Sequence, residues 1–226
     1  MKTNNSIAFF EKVKTITETK WAHIDSNDPI AILIQPGTKW KPGLSEQALL
    51  EFEKEMGFTF PALLRNFYQT MNGLDRSDIE ADEENNTSHY LHFYSYPEHL
   101  NNIRSQIEWI YESTGVTPAI VKANGISRIF PVWGHRFMMI DEPGHPILSM
   151  YGNDIIFYGR TLANTFLADH LGYPLSRGHS EQVVPFWYPG WRKYPKKPKY
   201  KPNKGVMTKY IKELKRKITM QHRAMG

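Results

Sequence analysis

The chain contains no cysteine. That excludes a disulfide framework and any thiolate zinc site. Long apolar runs are missing too. The opening MKTNNSIAFFEKVKTITETK lacks the unbroken hydrophobic core of a signal peptide, and no stretch approaches the roughly 20 apolar residues that cross a bilayer. The expectation is a cytoplasmic protein without integral membrane association. Catalytic signatures are equally scarce: there is no Gly-x-Gly-x-x-Gly, no phosphate loop, no His-Glu-x-x-His and no Gly-x-Ser-x-Gly. Spacing marks out no carboxylate pair, so no catalytic residue, cofactor or metal is expected.

Acidic residues are nearly absent from the last part of the chain. From Trp191 onward there are 13 Lys and Arg against the single acid Glu213, whereas the preceding 190 residues hold 15 Lys and Arg against 22 acids. The net charge of +5 therefore conceals a mildly acidic body carrying a strongly basic tail. With 226 residues the chain is long enough to bury one substantial core.

Residues 5–22 carry a ragged apolar stripe (Ile7, Phe10, Val13) and predict a helix, and the short run 29–34 (PIAILI) predicts a strand. Residues 35–42 read as a loop. The segment from Gly43 to Gly73 then reads as a helical hairpin. Ser45 is an N-cap residue with Glu46 in the first turn, Leu49, Phe52 and Met56 recur at helical spacing, and Gly57 ends the first helix. Phe58 and Phe60 bracket the elbow, and Pro61 starts a second helix whose apolar face is Leu63, Leu64, Phe67, Tyr68 and Met71, closed by Asn72 and Gly73.

An acidic stretch follows, with Asp75, Asp78, Glu80, Asp82, Glu83 and Glu84 running into Asn85 and Asn86. It reads as a solvated loop or as a docking surface for a basic partner; its spacing lacks the order of a calcium loop. Residues 89–96 alternate like a half-buried strand, and Pro97 opens a helix carrying Leu100, Ile103, Ile107 and Ile110. Residues 118–125 form a connector. Beyond Arg128 the period changes: 128–133, 136–141, 147–151 and 155–158 are four short strands with links too short for parallel crossovers, so an antiparallel meander is expected. Thr161 caps a last helix that Gly172, Tyr173 and Pro174 stop.

The order of these features resembles the SUKH superfamily, which includes the Smi/Knr cell-wall assembly regulators and bacterial immunity proteins. The matching positions are Glu53, Gly57, Pro61, Tyr68, Asn72 and Gly73 in the hairpin, Pro131 at the end of a strand, and Asp141 closing the next. The resemblance runs from about Gly43 to Gly172. It implies an α+β fold in a single domain, with helices packed on a mostly antiparallel, roughly six-stranded curved sheet. It also implies a protein-binding module, in bacteria one that neutralises a cognate toxin, often a nuclease or deaminase. Residues 1–42 then precede a core of residues 43–172, and residues 173–226 form an extension.

That extension has three parts: an aromatic stretch (QVVPFWYPGW, 182–191), a proline-lysine linker (193–203) and a segment from Val206 to Gln221 with Met207, Ile211, Leu214 and Ile218 on one helical side. The aromatic stretch is expected to pack back on the body, because Phe186, Trp187, Tyr188 and Trp191 exposed together would make a sticky patch. The basic remainder can dock on the acidic body, contact a polyanion or remain solvated. Three functional readings follow. The first is an immunity protein binding its toxin through the acidic loop. The second is an intracellular scaffold or regulator whose residues 192–226 contact nucleic acid or an anionic membrane. The third is an enzyme using His135, Asp141 and His145, if the turns after adjacent strands converge.

Overall fold

The structure, a computed structural model, describes residues 5–24, 34–76, 93–174 and 183–188. Over these residues the architecture is α+β: six helices and two antiparallel sheets, one of two strands and one of four. The strand expected at 29–34 lies outside the described residues except for Ile34, a buried residue in a bend.

Local sequence accounts for most helix ends. The first helix, α1 (Ile7–Trp21), is capped by Ser6, whose hydroxyl accepts from the Phe9 N–H. In α2 (Glu46–Met56) the Ser45 hydroxyl accepts from the Ala48 N–H, and Gly57 ends the helix at φ 75°. Pro61 is the N-cap of α3 (Ala62–Thr70) rather than its first residue.

The hairpin does not close at Asn72 and Gly73 as a helix. Met71–Leu74 forms β2, which pairs antiparallel with β1 (Trp40–Pro42), so the segment read as a loop and the end of the hairpin are two strands of one ribbon. A three-residue strand has no periodicity to detect, and its partner lies some 30 residues away. Of the strand expected at 89–96, Phe93 makes an isolated bridge with Trp133, and residues 89–92 lie outside the described residues. The next helix, α4 (Leu100–Thr114), begins three residues after Pro97 and ends on Gly115 at φ 73°. The connector at 118–125 contains a short helix, α5 (Pro118–Ala123), capped by Thr117 with proline in its first turn.

The expected meander is present. β3 (Ile129–Trp133), β4 (Arg136–Met139), β5 (Ile147–Tyr151) and β6 (Asp154–Gly159) lie side by side in chain order, each antiparallel to the next. Helix α6 (Leu162–Leu171) follows, capped by Thr161 and closed by Gly172.

Both faces of this sheet are covered. Alternate residues send Phe130, Val132, Met138, Ile140 and Ile147 into one core, shared with α1, α2, α3 and α6. The intervening residues Ile129, Phe137, Met139, Leu148 and Met150 enter a second core with Ile110 and Tyr111 of α4 and Val121 of α5. The aromatic stretch completes that second core: Val184, Trp187 and Tyr188 are buried in it, while Phe186 is half exposed. The expected packing of Trp187 and Tyr188 is therefore observed; Trp191, the linker and the segment from Val206 onward lie outside the described residues. No helix among the described residues is long and apolar enough to cross a membrane.

Candidate functional site

The charged and amide side chains that carry the family resemblance, those of Glu53, Asn72 and Asp141, are engaged in internal contacts. Glu53 is buried in α2, where its Oε1 accepts from the Phe60 N–H at 2.7 Å and its Oε2 meets an Arg65 guanidinium nitrogen at 2.7 Å. This carboxylate therefore closes the elbow and clamps α2 to α3. Arg65 also contacts Glu46, and its hydrogen bond to Glu53 leads the effects that raise the guanidinium pKa. Tyr68 is fully buried among aromatic rings, and desolvation pushes its hydroxyl pKa up. Asn72 binds the backbone of Tyr96. Gly73, at φ 77°, lies where a Cβ would stand 2.0 Å from the Ser95 hydroxyl oxygen. Pro131 is buried within β3. Asp141 accepts from the Arg128 N–H at 2.8 Å and from its Nε at 2.9 Å, with a further contact to the other guanidinium nitrogen. The Arg128 side chain beside it holds the Asp141 carboxyl below its usual range.

The three residues of the enzyme reading do not meet. His135 sits in the turn before β4, whereas Asp141 and His145 follow β4, at its opposite end. His145 points back to its own turn, Nδ1 lying 3.3 Å from the Met139 carbonyl. His135 belongs to a different cluster. Arg136 donates through Nε to Asp169 at 3.1 Å and through another nitrogen to Ser149 at 2.8 Å, and it also contacts His135 Nε2. Since arginine can only donate, His135 Nε2 is an acceptor and the ring is neutral. Burial is the main cause lowering its pKa to about 4. Asp169 also receives the Trp133 indole N–H and the Tyr158 hydroxyl, and the Arg136 guanidinium lies 3.5 Å over the Tyr158 ring. This cluster ties β3, β4, β5 and β6 to α6. Among the described residues no group of three His, Asp or Glu side chains is arranged to hold a metal.

Of the acidic stretch, Asp75 falls within the described residues. Its Oδ1 accepts from the Lys39 N–H at 2.8 Å and its own N–H donates to the Lys39 carbonyl at 2.9 Å, so it terminates the β1–β2 ribbon. Asp78, Glu80, Asp82, Glu83 and Glu84 lie outside the described residues.

The feature with room for a partner is an open groove of about 680 Å³ between the elbow, α4, α5 and the start of β3. Met56, Phe58, Ile107 and Ile126 supply half-buried apolar surface at the seam between the two cores. Four of the six charged groups on its walls form two pairs, Arg104 with Glu55 at 2.8 Å and Arg128 with Asp141, while Glu108 and Lys122 are exposed there. Arg128 also lies 4.9 Å over the Phe58 ring, joining the elbow to the sheet. Sequence reasoning overlooked Arg104, Arg128 and this groove. A usable signal existed for one of them: Arg128 and Asp141 stand just beyond the outer ends of β3 and β4, where opposite charges come within reach of each other. Arg104 and Glu55 are 49 residues apart, and nothing local links them.

A four-stranded meander with helices on both faces, preceded by a helical elbow closed by a buried glutamate, defines the class of α+β scaffold. The model of the SMI1 / KNR4 family (SUKH-1) matches residues 43–186, and the chain belongs to that family. The match takes in the elbow, the meander, α6 and part of the aromatic stretch. No curated protein and no solved structure matches the chain.

Proposed function

We propose that this protein is a non-catalytic protein-binding module that acts as an immunity protein, neutralising a cognate toxin by direct binding. Membership of the SMI1 / KNR4 family is consistent with a toxin-immunity or an SMI1/KNR4-like role. The observation that carries the reading is the fate of the shared motif. Glu53, Asn72 and Asp141 each spend their polar atoms on internal partners, so the motif builds the scaffold and leaves recognition to other surfaces of the chain. The acidic body favours encounter with a basic partner through complementary potential, and the stretch 78–84 rooted at Asp75 is the proposed contact surface.

The test is co-expression with the product of the neighbouring reading frame. Protection of the cells together with a stoichiometric complex on gel filtration is expected. A neighbourhood without any toxin gene, combined with salt-sensitive nucleic-acid binding lost on deleting residues 192–226, would overturn the immunity reading in favour of a regulator.

A further inference from the structure

We propose that the groove beside the elbow is the docking site of this chain's own segment 206–221, held there as a helix by its apolar side. The inference is independent of the immunity reading. Four observations converge on it.

The groove presents unsatisfied apolar surface. Met56, Phe58, Ile107 and Ile126 are half-buried at its floor, and the two arginines on its walls, Arg104 and Arg128, are already paired with Glu55 and Asp141, so the side of a ligand that enters between them is chiefly apolar. The second observation is where the described chain stops. The Trp187 indole N–H donates to the Ser127 carbonyl at 2.8 Å, between the groove residues Ile126 and Arg128, and the indole stacks on Tyr111 of the groove wall. The chain is thus fastened at the rim of the groove one residue before the last described position.

Reach is the third. Residues 189–205 contain four prolines, and at about 3.1 Å per residue in an extended proline-rich form they span up to roughly 50 Å. A tether of that length anchored at the rim makes docking an intramolecular event, at an effective concentration in about the millimolar range. The fourth is the pattern of the segment itself. Met207, Ile211, Leu214 and Ile218 follow each other at intervals of four, three and four, which places them in one narrow stripe, while Lys209, Lys212, Arg216 and Lys217 lie elsewhere around the helix. Sixteen residues make a helix of about 24 Å. Its basic back would face a body whose first 190 residues are net acidic, although the groove wall itself is balanced, with Glu108 and Lys122 both exposed on it.

The absence of cysteine makes the test clean, since a single introduced thiol is the sole labelling site. A benzophenone is attached to the full chain at Lys215→Cys, next to the apolar stripe, irradiated, and the adducts are mapped by mass spectrometry. Intramolecular adducts concentrated on the peptides carrying 55–58, 104–111 and 121–128 are expected. The same chain with Ile211→Asp and Leu214→Asp, both outside the described residues, should lose those adducts by at least about tenfold, as replacing two aliphatic side chains that docking would bury demands. Adducts spread evenly over the surface, adducts unchanged by the double substitution, or adducts that form between two chains would each overturn the proposal. The last result would assign the groove to a second copy.

Discussion

Asn72 and Tyr96 hold each other through a reciprocal pair of hydrogen bonds. The Asn72 Nδ2 donates to the Tyr96 carbonyl and the Tyr96 N–H donates to Asn72 Oδ1, both at 2.8 Å. A side-chain amide here imitates a strand neighbour, and it joins the end of the helical hairpin to the chain entering α4. Only 8 % of Asn72 is exposed, so water cannot replace either partner easily. Asn72→Ala should cost roughly 2–4 kcal/mol, because two backbone groups lose their partners. A urea midpoint measured on both proteins, together with amide exchange at Tyr96, checks this.

Two glycines of the hairpin serve different ends. At Gly43 a Cβ would stand 1.8 Å from the Gln69 carbonyl oxygen, a backbone atom with nowhere to go. Leu44 N–H donates to the Tyr68 carbonyl at 2.8 Å, fixing that approach. At Gly57 a Cβ meets nothing within 4 Å, and the requirement is conformational, at φ 75°. Gly57→Ala should therefore cost about 1–2 kcal/mol, the left-handed penalty alone. Gly43→Ala should cost roughly 4 kcal/mol or more, since packing must open. Thermal unfolding of the two variants side by side tests the ordering; equal losses would show that the approach at Gly43 relaxes.

The protein should weaken on mild acidification. His170 is fully enclosed by Phe93, Trp133 and Phe166, and neither ring nitrogen has a hydrogen-bond partner among the described residues. Burial is the first cause lowering its pKa to about 4, Arg136 and Lys20 act in the same direction, and Asp169 opposes them. His135 is likewise lowered to about 4 by burial and Arg136, against Asp169. Since the unfolded rings titrate near the ordinary value of about 6.5, the unfolded state binds more protons between pH 6.5 and 4. Stability is complete above that window and falls as pH drops through it. His170→Phe keeps the ring packing and removes one of the two groups, so it should flatten the dependence of Tm on pH between 6.5 and 4. The Arg128–Asp141 pair does not blur the result. Its carboxyl is held low, so its contribution persists above the ordinary carboxylate range and is lost in stronger acid.

Much of this structure was legible residue by residue. Ser45 and Gly57 bound α2, Thr161 and Gly172 bound α6, and Gly115 ends α4, because a cap acts on backbone groups within one turn of itself. The meander was legible for a related reason. Links as short as Gly134-His135 permit antiparallel neighbours and little else, and alternate residues already assign the faces. The order of these local signals was also enough to place the chain in its family.

What the tertiary structure decided is everything that depends on a distant partner. Trp40–Pro42 becomes a strand because Met71–Leu74 lies beside it, and neither segment is long enough to declare itself. His135 and Asp141, close in sequence, are carried to opposite ends of β4, whereas Arg104 and Glu55 are brought into contact. The same holds for Trp187, whose indole finds the Ser127 carbonyl 60 residues earlier. Local chemistry writes helix ends, turns and strand faces into the chain itself. The groove and the ion pairs on its walls arise only when burial of the two cores forces separate elements together.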